Sequence, residues 1–116
     1  MKIKLIVIRS KDPDKLITFY QLLGLEFDYH KHGNSPFHYS TTINETVLEI
    51  YPLLKSQTEP DNSLRLGFEV NDFENVLKSF DNNNIEYSTH LETEFGYMTI
   101  VKDFEGRKIE LYKKIE

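Results

Sequence analysis

Cysteine is absent from the chain, which removes disulfides, thiolate metal ligands and a thiol nucleophile at one stroke. Such a composition suits a reducing compartment. No basic block interrupts a sequence in which 14 Lys and Arg face 19 Asp and Glu, for a formal charge of −5. Affinity for a phosphate backbone comes mainly from clustered Lys and Arg, so a nucleic-acid partner is not expected. The longest apolar run, Leu5 to Ile8, falls far short of the roughly 20 residues that span a bilayer. The N-terminus carries no apolar leader segment. Also missing are a Gly-rich phosphate loop, His-Glu-x-x-His, Gly-x-Ser-x-Gly and a dinucleotide fingerprint. These absences lead us to expect a soluble, cytoplasmic protein with neither a nucleic-acid nor a membrane partner.

What is present is organised around a phrase that occurs twice. Leu48-Glu49-Ile50-Tyr51 is restated as Ile109-Glu110-Leu111-Tyr112. Alternate side chains of a strand leave opposite faces, so Glu49 shares a face with Tyr51, and Glu110 shares one with Tyr112. A chain of 116 residues is one domain's worth of protein, able to bury ~60–68% of its unfolded surface without staples.

Around that phrase the elements also repeat. Met1 to Arg9 reads as a buried strand, and Asp12-Pro13 opens an amphipathic helix over Asp14 to Leu23, which Gly24 caps. Strands are predicted over Leu25–His32, Phe37–Ile43 and Thr46–Leu53, the last two joined at Asn44-Glu45. Residues 55–63, with Pro60-Asp61-Asn62, read as a linker. The order then restarts with a strand over Leu64–Val70, an Asn71-Asp72 cap, a helix over Phe73–Asn82 and an Asn83-Asn84 stop. A short strand at Ile85-Glu86-Tyr87 and a hairpin of Phe95–Val101 with Arg107–Lys113 complete it. Asp12 falls on Asp72, Tyr20 on Phe80, Gly24 on Asn84 and Glu49 on Glu110. This is an internal duplication of strand-helix-strand-strand-strand, with 1–54 the first βαβββ module and 64–116 the second, in one α+β domain.

Asp12 through Tyr20 with Leu23-Gly24-Leu25, and Asp103-Phe104-Glu105-Gly106-Arg107-Lys108-Ile109-Glu110-Leu111, together make the chain resemble the vicinal oxygen chelate superfamily. That group includes glyoxalase I, bleomycin-resistance proteins and extradiol dioxygenases. The resemblance implies two tandem βαβββ modules whose mixed sheets curl around a cavity, and often a homodimer. It specifies fold far better than reaction.

In the metal-using members the resemblance implies ligands early in each module's first strand and in each module's last strand. Here the last-strand places hold Glu49 and Glu110, while the first-strand places hold Leu5 and Arg65. Leucine has no donor atom and a guanidinium repels a cation. Two carboxylates alone are too few for a tight Zn²⁺ or Fe²⁺ site. Arg65 could instead pair with a glutamate or present its fork to an anionic ligand, and the plainer alternative is a satisfied polar network of Arg65 and the two acids. His38 lies on the strand hairpinned to Glu49 and could supply an imidazole, though the simpler expectation is an exposed strand histidine. His30 and His32, with His38 across the turn, could form a metal-binding patch, and read more simply as a solvated edge. His90 shows no partner in sequence.

Seven Tyr and eight Phe give 13% aromatic residues, enough to line a cup as well as a core. We expect Arg65, His38, Tyr39, Tyr51 and Tyr112 as ligand-binding residues. The leading functional expectation is a small-molecule-binding protein of the bleomycin-resistance type that holds a small hydrophobic or charged molecule in an aromatic cup, with a degenerate metal site and no required cofactor. The −5 charge and the paired glutamates favour a cationic ligand, whereas Arg65 argues for an anionic group on it. The alternatives are a metal-dependent enzyme resembling glyoxalase I, a lyase or isomerase with Glu49, Glu110 and His38 around a divalent ion, and an oligomeric scaffold without a ligand.

Overall fold

The computed structural model describes residues 1–89 and 91–115. His90 lies outside the described residues. The chain forms two compact units, Met1–Gln21 with Leu25–Asp61, and Leu22–Gly24 with the chain from Asn62 onward.

In the first unit, β1 (Leu5–Ser10) is followed by α1 (Pro13–Gln21), β2 (Asp28–His30), β3 (His38–Ile43) and β4 (Thr46–Pro52). The sheet order is β1-β4-β3-β2, with β1 parallel to β4 and the other pairs antiparallel. The Asp12 carboxylate accepts the Lys15 amide at 3.2 Å and so caps α1, satisfying one of the amide donors that a helix start leaves open. The helix ends two residues earlier than the apolar periodicity predicts. Leu22 and Leu23 are spent on the turn into Gly24, whose φ of +100° disfavours any side chain. Leu16, Ile17, Phe19 and Tyr20 pack against Ile8, Leu48 and Ile50, all buried. Each such side chain contributes about 1.5–3 kcal/mol of burial.

The second unit repeats the grammar with β5 (Leu66–Val70), α2 (Phe73–Asn82), β6 (Leu91–Thr93), β7 (Gly96–Lys102) and β8 (Lys108–Lys113). Its sheet order is β5-β8-β7-β6, again with a parallel first pair. Asp72 caps α2 through the Asn75 amide. Asn84 takes φ +56°, and the Ile85 amide reaches back to the Phe80 carbonyl at 2.9 Å while that of Asn84 reaches Asp81. This is the Schellman arrangement, with asparagine in the place glycine usually fills. Phe73, Val76, Leu77 and Phe80 bury with Val70, Met98, Val101, Ile109 and Leu111.

The expected α+β class with two tandem βαβββ modules is therefore the observed one. Three strand readings differ. The first strand begins at Leu5 rather than Met1 and is buried at Ile8 and Ser10 only, with Leu5 and Val7 exposed. Ile85-Glu86-Tyr87 supplies only a single bridge, Tyr87 to Val101, and the edge strand sits at Leu91–Thr93, set by the Thr93–Gly96 hairpin. Leu25–Phe27 alternates in sequence, yet only Asp28–His30 joins the ladder. Among the described residues no helix is long and apolar enough to cross a membrane.

The β7–β8 turn explains the Asp-x-x-Gly spacing. Asp103 Oδ1 accepts the amides of Glu105 (2.9 Å) and Arg107 (3.1 Å), and Gly106 turns at φ +89°. The Arg107 side chain folds back onto Asp103 Oδ2 at 3.2 Å and Glu105 Oε1 at 3.0 Å, buried. That turn delivers Ile109, Glu110 and Leu111 onto β8 in fixed register.

Candidate functional site

In each unit the last strand is interior to its sheet, and its carboxylate points away from the face that carries the helix. On β4, Leu48 and Ile50 are turned to the core beneath α1, so Glu49 and Tyr51 take the other face. On β8, Ile109 and Leu111 are buried and Lys113 reaches Glu74 of α2 at 2.6 Å. Glu110 and Tyr112 therefore leave from the opposite side.

The two glutamates have different surroundings. Glu110 accepts from Arg65 Nη2 at 2.6 Å on one oxygen and from the Tyr112 hydroxyl at 2.6 Å on the other. The Tyr112 hydrogen bond holds its carboxyl below the ordinary range, with burial working against it and Arg65 adding to the lowering. The same bond pushes the Tyr112 phenol up. Gly67 stands beside them, where a Cβ would touch the Tyr112 ring at 3.4 Å. Arg65 keeps a side chain 53% exposed, with most of its guanidinium donors available to a ligand.

Glu49 is 8% exposed, and among the described residues its ion-pair partners are the imidazoles of His32 and His38. His38 is fully buried rather than an exposed strand histidine, because its ring stacks on Tyr51 at 4.0 Å and 10°. Its Nε2 lies 3.1 Å from Glu49 Oε2, and its Nδ1 3.0 Å from the Pro36 carbonyl. His32 Nε2 stands 3.7 Å from the same Glu49 oxygen. His30, paired with His38 across β2 and β3, has its ring 4.8 Å from that of His38 and 4.7 Å from that of His32. One donor atom from each of His30, His32, His38 and Glu49 falls within 4.8 Å of the others. The solvated edge expected of His30 and His32 is thus a convergent cluster on a buried carboxylate.

Tyr51 carries Arg9 on its ring at 4.6 Å, a cation–π contact that sequence reading missed. Arg9 lies opposite Tyr51 in the β1–β4 register, and that pairing is the signal that would have found it. Tyr39 is one residue from His38 and therefore on the other face. Its hydroxyl donates to Asp14 of α1 at 2.5 Å, and its phenol is pushed up to about 12 by that bond and by burial. The structure brings Tyr51 together with His38, and Arg65 together with Glu110 and Tyr112, but sets Tyr39 apart from both groups.

The chain belongs to the Glyoxalase/Bleomycin resistance protein/Dioxygenase superfamily, whose model matches residues 2–111. Solved structures with this fold include an antibiotic-binding protein from a Streptomyces species (TM-score 0.79, 18% identity, 99% of this chain and 97% of that one). A lactoylglutathione lyase from Agrobacterium tumefaciens also aligns (TM-score 0.70, 16% identity, 97% and 92%). So does a glyoxylase/bleomycin resistance protein/dioxygenase domain from Frankia (TM-score 0.79, 14% identity, 100% and 93%). Among curated proteins none matches the chain. At these identities the likeness is one of fold.

Members of the family often use a divalent metal. At the four inherited ligand places this chain offers Leu5, Glu49, Arg65 and Glu110, with Glu110 already occupied on both oxygens. That set does not fit a metal ion, and no step is derived through one there.

Proposed function

We propose that the protein is a small-molecule-binding member of the superfamily that takes its ligand at the carboxylate-bearing face of the second unit. The observation that carries this reading is the Arg65–Glu110–Tyr112 cluster. An ionised carboxylate is neutralised in place by a guanidinium that remains half exposed, so the face offers that guanidinium's remaining donors beside a phenol ring instead of a Lewis acid. Such a group recognises the planar oxygens of a carboxylate or phosphate in two-point fashion, while Tyr112 supplies a surface for an apolar or aromatic body. The ligand class is therefore an amphipathic aromatic compound bearing an acidic group. The antibiotic-binding neighbour supports small-molecule binding as the activity; the lyase neighbour supports only the scaffold.

The test is a thermal-shift screen of aromatic carboxylates, aromatic phosphates and aromatic cations, followed by calorimetry on each hit. At 100 times Kd a ligand adds about 2.7 kcal/mol, an easily read rise in Tm. The expected result is saturable binding of an acidic aromatic compound, weakened about tenfold or more by Arg65→Ala. The proposal fails if only cations bind, if binding ignores Arg65, or if the protein shows lactoylglutathione lyase activity that Glu110→Gln removes.

A further inference from the structure

We propose that His30, His32, His38 and Glu49 form a binding site for a divalent transition metal, contained wholly in the first unit. This is independent of the ligand reading for Arg65 and Glu110. It uses none of Leu5, Arg65 or Glu110, and shares only Glu49 with the places at which the family's ligands fall.

The first argument is the direction of the lone pairs. His38 Nδ1 faces a carbonyl oxygen, that of Pro36 at 3.0 Å, which can only accept, so Nδ1 carries the hydrogen. In the neutral ring Nε2 is then an unprotonated acceptor aimed at another acceptor, Glu49 Oε2, at 3.1 Å. Two lone pairs held face to face repel, and either a second ring proton on Nε2 or a coordinated metal ion relieves them. An imidazole whose far N–H is fixed by a backbone carbonyl is also the arrangement that orients histidine ligands in metal sites.

The second argument is an orphan. His30 Nε2 is buried with no hydrogen-bond partner, on a strand whose register places it directly beside His38. A buried polar nitrogen left unmatched is costly, and a coordinated ion removes the cost at His30 and at His38 together. The third argument is charge. Glu49 is nearly buried, and among the described residues its ion-pair partners are His32 and His38 rather than a lysine or arginine. A dication in the centre compensates it without requiring several neighbouring imidazoles to be charged at once.

The geometry fits with small adjustments. Bonds of about 2.0–2.1 Å in a tetrahedral site put ligand atoms about 3.3–3.4 Å apart. The His38–Glu49 and His32–Glu49 distances of 3.1 and 3.7 Å bracket that value, and the remaining pairs lie within 4.8 Å. His38 is locked by Tyr51. His32, whose side chain is 66% exposed, has room to swing inward and forms the entry. Three imidazoles and one carboxylate without a thiolate select Zn²⁺, Co²⁺ or Ni²⁺ over Ca²⁺ and Mg²⁺, which prefer all-oxygen shells.

The experiment uses the full chain stripped with chelator and titrated with Zn²⁺, Ni²⁺ and Co²⁺ by calorimetry and thermal shift. The Co²⁺ visible spectrum reports coordination geometry. We expect one ion per chain, a saturable rise in Tm, tetrahedral Co²⁺ bands, and affinity reduced tenfold or more by His32→Ala and by Glu49→Gln. His38 is a core residue and its replacement risks the fold. His32 is exposed, so a His32→Ala variant that melts like the metal-free parent still reads the site. Absence of saturable binding by all three metals, or binding that ignores both His32→Ala and Glu49→Gln, overturns the proposal. So does binding abolished by Glu110→Gln and untouched by His32→Ala, which would put the ion at the inherited centre.

Discussion

Replacing Arg107 by methionine should be among the most damaging single changes in this chain, although Arg107 lies in a turn. Its side chain is 1% exposed and its Nη1 serves Asp103 at 3.2 Å and Glu105 at 3.0 Å. Methionine keeps much of the volume, so the cavity contribution is small and the loss is electrostatic. The Asp103 carboxylate, 0% exposed, would remain buried and would lose the guanidinium that faces its Oδ2. Removing one member of a buried pair costs about 3–5 kcal/mol, a large part of a total stability of about 5–15 kcal/mol. At about 4 °C of Tm per kcal/mol for a domain of this size, the midpoint should fall by about 12–20 °C. Urea unfolding followed by circular dichroism measures the change. The double variant Arg107→Met with Asp103→Asn should lose much less than the sum of the singles, because the stranded charge is gone while an acceptor for the turn amides stays. A single variant within about 1 kcal/mol of the parent, or strict additivity, would show that the guanidinium does not secure the turn.

Three further outcomes follow from the contacts. Tyr39 keeps its proton in the folded state to about pH 12, above its unfolded value of about 10, so its contribution is complete below pH 10 and is lost between 10 and 12. A phenol titration followed in the ultraviolet should show Tyr39 as a late tyrosine alongside the raised Tyr87 and Tyr112, and Asp14→Asn should move Tyr39 alone down. Tyr112→Phe removes the largest cause of the lowered Glu110 pKa. Glu110 stabilises the fold above the ordinary glutamate pKa and loses that contribution as pH falls through the depressed value, so the variant should carry a smaller Glu110 contribution and, by denaturation at stepped pH, finish losing it at a higher pH. Phe80→Ala, at a position with no exposed area, should cost about 3–5 kcal/mol by cavity formation, seen as a drop in urea midpoint at unchanged m-value.

Local signals carried most of the fold. The bounds of α2 were legible because Asp72 and Asn84 have side-chain and backbone chemistry suited to nothing else there. The duplication was legible because strand parity and cap spacing recur together. Three-residue edge strands were not: Leu91–Thr93 is too short to show alternation, and its existence depends on pairing with β7. Parity on β8 placed Tyr112 beside Glu110, and parity on β3 would have removed Tyr39 from the His38 face. The histidine cluster needed more. The loop through Gly33 and Pro36 does not fix the register between β2 and β3, and without that register His30 cannot be set beside His38. Nor does a histidine in an alternating strand reveal its burial, which here comes from a ring stacked on it from the neighbouring strand.

The position of the last strand in each sheet has a mechanical consequence. With β4 held between β1 and β3, and β8 between β5 and β7, the backbone under Glu49 and Glu110 is paired on both sides and should be the slowest to exchange its amide hydrogens. His30 stands on a three-residue edge strand and His32 just beyond its end. The first unit is therefore built like a vice, with a fixed jaw carrying the carboxylate and a light outer jaw carrying two imidazoles. Whatever enters would be gripped by motion of the outer jaw alone, leaving the rest of the sheet at rest.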